Sequence, residues 1–113
     1  MAAATTAASP AEESIRTRVP QAHFDAFVAN CRAGDVPHAT CNCMALGLIR
    51  SGQDGEIVLD AMGLAATGTA EGRDRQKAVT ALLDRYGIPA SRLQTLIAEF
   101  EQKGVEQLAE DCI

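Results

Sequence analysis

A chain of 113 residues with 47% apolar content is long enough for one globular domain and too apolar for a disordered one. With no Trp, one Tyr and three Phe, it cannot build an aromatic core; its Ala-rich, aliphatic composition favours close-packed helices over a sheet. A net charge of −5 without a basic stripe disfavours nucleic acid and anionic membrane surfaces, and no apolar run approaches the ~20 residues that span a bilayer.

The first residues, Met1 to Ser9, are Ala- and Thr-rich. They lack the basic and Leu-rich segments of a secretory signal and read as a disordered tail, leaving 10–113 as a single helical domain. Ser9, Pro10 and Glu12 form a capping pattern for a short helix that ends before Val19-Pro20. The next helix is expected from Pro20 to Arg32, with Phe24, Phe27, Val28 and Cys31 on one stripe and a stop near Gly34. Asp35 is the expected cap of a third helix that carries Pro37 in its first turn. Cys41, Met44, Ala45, Leu48 and Ile49 form its apolar stripe as far as Arg50, and Ser51-Gly52 stops it.

Glu56 to Ala66 is apolar nearly all round, broken only by Glu56, Asp60 and Gly63. As a helix it would be central and buried. Ile57-Val58-Leu59 could form a strand instead, but no second strand-like run exists to pair with it. After a loop at Thr67-Gly68-Thr69, a helix is expected from Ala70 to Tyr86, with Gly87 as its left-handed terminator. The last helix starts near Pro89 or Ser91 and carries Leu93, Ile97, Phe100, Gly104, Leu108 and Cys112 at helical spacing, with Gly104 a candidate break. The expected fold is all-α, a compact bundle or orthogonal array of about four to six helices.

The densest chemistry lies in Cys31, His38, Cys41 and Cys43. Thiolate and imidazole are the ligands that zinc and iron–sulfur clusters select, and four such groups fall within 13 residues. The spacing is not a zinc-finger form, and Cys41 and Cys43 stand ~200° apart on a regular helix, so one metal could hold both only if the helix were broken there. The competing reading makes Cys31 and Cys41 small core residues. A thiol-redox role for Cys41, Cys43 and the penultimate Cys112 is a third alternative. Without a leader or a spanning segment, the expected location is cytoplasmic, with all four thiols reduced.

Other motifs are weaker. Gly63 to Thr69 has the G-x4-G frame of a phosphate loop but lacks its Lys. Leu83, Gly87, Ile88, Leu93 and Leu96 match the packing positions of a helix-turn-helix. A DNA-binding regulator would need Arg75, Arg85 and Arg92 on one exposed face, and most αα-hairpins share this spacing. Catalysis has little support: His23 and His38 are the only histidines, and no nucleophile sits in an elbow motif. No motif identifies a family. The leading expectation is a small acidic, non-catalytic interaction or assembly protein that takes a protein partner or self-associates. The alternatives are a metal- or iron–sulfur-binding protein built on the cysteine cluster and, third, a helix-turn-helix regulator.

Overall fold

The computed structural model describes residues 14–68 and 73–113. The expected tail, the capping pattern at Ser9 to Glu12, and the expected helix start at Ala70 lie outside the described residues. A helical turn at 14–16 precedes six helices, and no strand occurs among the described residues. The all-α expectation therefore holds, and Ile57-Val58-Leu59 is helical.

Helix α1 spans Gln21–Arg32 and buries Phe24, Phe27 and Val28. The Pro20 carbonyl starts it by accepting from the amides of His23 (2.9 Å) and Phe24 (3.1 Å). Helix α2 spans His38–Arg50. Its N-cap is Pro37, not Asp35 as the sequence suggested. Asp35 takes φ 64°, a left-handed conformation that Asp tolerates better than most residues, and its amide bonds the Arg32 carbonyl at 3.0 Å. It therefore belongs to the turn that closes α1. Proline at 37 disfavours helix at Val36, which delays the new helix to His38.

Helix α3, Gln53–Ala66, buries Gly55, Ile57, Val58, Leu59, Asp60, Ala61 and Gly63, which makes it the central helix its composition predicted. Helix α4 covers Arg73–Tyr86, and helix α5 covers Ala90–Glu99 with Leu93 and Leu96 buried. Between α4 and α5, Gly87 has φ 66°, and the Ile88 amide reaches back to the Leu83 carbonyl at 3.1 Å. A glycine at this position ends a helix without the Cβ penalty of the left-handed region. The chain does not break at Gly104: α5 runs into a π-helical segment, Phe100–Gly104, and then into helix α6, Val105–Asp111.

The core forms where α1, α2 and α3 meet, with Phe24, Cys41, Ile49, Ile57 and Leu59 almost wholly excluded from solvent. The most extensive helix pair is α1 against α3. Their approach depends on Gly63. A Cβ at that position would stand 2.1 Å from the His23 carbonyl oxygen, which is backbone and cannot turn aside. Gly63→Ala is expected to force the two helices apart and to lower unfolding free energy by ~1–3 kcal/mol in urea denaturation. Unchanged stability would show that the crossing tolerates more space than this geometry gives it.

Candidate functional site

The four cysteines pair: Cys31 with Cys41, and Cys43 with Cys112. This corrects the expectation of four reduced thiols. It also dismantles the proposed ligand set of Cys31, His38, Cys41 and Cys43, because Cys43 faces a different partner and His38 is an exposed residue at the start of α2. Among the described residues, no three His, Cys, Asp or Glu side chains come together as a metal group. The reason is the ~200° between Cys41 and Cys43 on an unbroken helix. Cys41 points to α1, where Cys31 meets it across the short turn, and Cys43 points to the C-terminal helix. The stripe reading of Cys31 and Cys41 survives in part, since Cys41 is fully buried.

The two bonds close very different loops. Cys31 and Cys41 are 10 residues apart, and Cys43 and Cys112 are 69 apart. On loop entropy alone, these closures correspond to ~3 and ~4 kcal/mol of stabilisation.

An apolar groove of about 750 Å³ opens beside both bonds. Its walls come from α1 (Phe27, Cys31), the α1–α2 turn (Val36, Pro37), α2 (Thr40, Met44), α3 (Met62), the π-helical segment (Phe100) and α6 (Val105, Ala109), with Cys112 just beyond it. The volume lies in the range of ligand-sized pockets. Met44 and Met62 both line it, and unbranched thioethers repack around differently shaped apolar groups. Among the described residues, Asn30, Asp35 and Thr40 are its polar side-chain lining, and Asp35 carries a charged side chain. Ile113, 98% exposed, stands at its edge. On the other side of the α5–α6 arm is a second cavity of about 470 Å³, between the arm and α2 and α3. Phe100 and Cys112 line both cavities.

Asp60 is the other unusual feature. It has no exposure, yet it carries a carboxylate. Oδ1 lies 2.5 Å from His23 Nδ1 on α1; Oδ2 accepts from the Tyr86 hydroxyl at 2.9 Å and from Arg85 Nη2, both on α4. A carboxylate only accepts hydrogen bonds, so Nδ1 of His23 is the protonated nitrogen. Three helices are tied to one buried group, and no buried side-chain nitrogen or oxygen among the described residues lacks a partner. Burial, reinforced by the Asp60 charge and its hydrogen bond, pushes the Tyr86 phenol above its usual value. His23, only partly exposed on α1, is a member of this network. The signal that could have marked Asp60 is its place in the apolar run from Ile57 to Ala66, where a solvated carboxylate would have no access to water.

The remaining motifs do not assemble into sites. Gly63 is inside α3 against α1, so the G-x4-G frame begins at a helix crossing rather than at a phosphate-cradling loop; its Thr69 lies outside the described residues. Of the positions that match a helix-turn-helix, Leu93 and Leu96 are buried, while Leu83 and Ile88 are partly buried. Of its arginines, Arg85 is engaged by Asp60 and Arg92 by Asp54 at 3.1 Å. No helix among the described residues is long and apolar enough to cross a membrane. Comparison with family models, curated proteins and solved structures finds no match, so the site stands on its own geometry.

Two outcomes test the Asp60 network. Asp60→Ala leaves Arg85 and His23 facing a void and is expected to cost ~3–5 kcal/mol in chemical denaturation. Loss of less than 1 kcal/mol, by rough comparison with exposed ion pairs, would mean that the network is not tight in solution. Tyr86 is the only tyrosine, so an absorbance titration reads it directly. Its midpoint is expected above the unperturbed 10.0. The folded state then holds a proton that the unfolded state has released, so stability is full below pH 10 and falls as pH rises beyond it. Tyr86→Phe should remove that share of the alkaline loss, as read by thermal melts on either side of the unfolded value.

Proposed function

We propose that this chain is a non-catalytic interaction module that captures an apolar segment of a basic protein partner in the groove between α1, α2 and α6. The observation that carries this reading is the groove itself: about 750 Å³, lined by Phe27, Met44, Met62 and Phe100, with the exposed Ile113 side chain at its edge. Charge supports the choice of partner. Asp35 lines the groove, and α6, which supplies another wall, carries Glu106, Glu110 and Asp111 with no Lys or Arg. Across residues 81–113, six acidic groups (84, 99, 101, 106, 110, 111) stand against three basic ones (85, 92, 103), a net −3. An apolar anchor flanked by Lys or Arg complements that overall charge and is steered by it.

The two disulfides support a working environment different from the cytoplasmic one expected from the sequence. Such bonds persist in oxidising compartments and are reduced in most cytosols. A protein that functions with them intact works in an oxidising compartment.

The test uses the full chain labelled at its methionine methyl groups. A helical Leu/Lys peptide should shift the Met44 and Met62 methyl resonances, with an affinity that weakens as salt is raised. The Leu/Glu counterpart should bind far more weakly, and Thr40→Lys on the groove wall should weaken the Leu/Lys complex. Silent methyl groups with both peptides would sink the groove reading. Equal binding of the two peptides would sink the basic partner, and binding of a neutral apolar dye alone would point to a small-molecule occupant.

A further inference from the structure

We infer that the Cys43–Cys112 bond is a reducible latch that holds α6 in place as one wall of the groove. Helix α6 has no buried residue of its own. Val105, Leu108, Ala109 and Cys112 are only half-buried, and cavities flank the arm on both sides. Its contact with the body runs chiefly to α2, where Leu108 leans over Gly47: a Cβ on that glycine would meet the leucine Cδ1 at 2.7 Å. This end of the helical arm presents one partly buried face and no buried side chain, so it adds little apolar contact to hold the arm against the body. The covalent bond from Cys112 to Cys43 on α2 supplies what packing does not.

The two bonds also differ in access. Cys43 and Cys112 are both partly exposed, whereas in the other bond Cys31 is partly exposed and Cys41 is fully buried. Exchange requires a thiolate to reach a sulfur in line, so the latch offers an external thiol two sulfurs and the other bond only one. The reductant is a dithiol. One of its thiolates attacks a latch sulfur, the Cys43–Cys112 bond breaks, and a mixed disulfide forms. Its second thiol then displaces the cysteine. Two electrons and two protons pass to Cys43 and Cys112, and the dithiol leaves as its own disulfide. The π-helical segment at Phe100–Gly104, a weaker helical form that ends in glycine, is the point at which the freed arm pivots. Val105, Ala109 and Cys112 then leave the groove, which is complete when oxidised and open when reduced. The loss of binding rests on the groove reading above; the latch does not.

The experiment titrates the full chain with dithiothreitol, alkylates and maps the thiols, and follows amide hydrogen exchange at the point where only the first bond is reduced. Cys43 and Cys112 should be labelled before Cys31 and Cys41. Amides of 105–111 should then lose protection by about tenfold or more while α1 to α3 keep theirs. Labelling in the opposite order overturns the latch, as does loss of protection in all helices together, which would make the bond a global staple. The Cys43→Ser/Cys112→Ser double variant should match the singly reduced protein in exchange; if it does not fold, the reduction series on the unaltered chain decides. In parallel, the Leu/Lys peptide should lose its shifts at Met44 and Met62 on reduction. An arm that loosens with peptide binding unchanged separates the latch from groove control and overturns the latter. An oxidised protein that never bound the peptide refutes the groove reading and leaves the exchange result to judge the latch.

Discussion

The structure depends on one helix being cross-linked on both sides. Cys41 and Cys43 are two residues apart, which on an α-helix directs them to nearly opposite faces. One bond therefore fixes α1 to α2 across a short turn, and the other carries α2 to the far end of the chain. The same angular fact that allows two bonds forbids one shared metal centre. A core with few aromatic side chains has limited apolar area to bury, and covalent closure offsets some of that shortfall by restricting the unfolded chain.

Asp60 acts differently on the same framework. A buried carboxylate is costly unless fully satisfied, and here His23, Arg85 and Tyr86 take up its oxygens from two neighbouring helices. Burial rules out any placement of α1 and α4 that would leave those oxygens unpaired. The network therefore restricts how the helices can be arranged more than it adds net stability. Gly63, about a turn further along α3, has the complementary role: its missing side chain lets α1 come close enough for His23 to reach Asp60.

The groove is a consequence of both. The Cys31–Cys41 bond and the Asp60 network hold its α1, α2 and α3 sides, and the remaining wall is a helix that packing alone holds weakly. The unbranched methionines in its lining can repack around differently shaped apolar groups.

The sequence by itself determined the helical class, the course of most helices and the central place of α3. Those follow from local periodicity, from glycine and proline, and from an apolar run too continuous to face water. Asp35 as a turn residue rather than a cap was harder to read, since the decision lay with Pro37 two positions on. Only the tertiary structure decided the rest: that Cys112 returns across 69 residues to Cys43, and that His23 and Tyr86 turn inward to Asp60. The walls of the groove, too, come from segments far apart in the chain. The physical reason is range. Helical periodicity is a property of neighbours in the chain, whereas a disulfide partner, a buried ion's ligands and a cavity's walls are set by how whole helices cross.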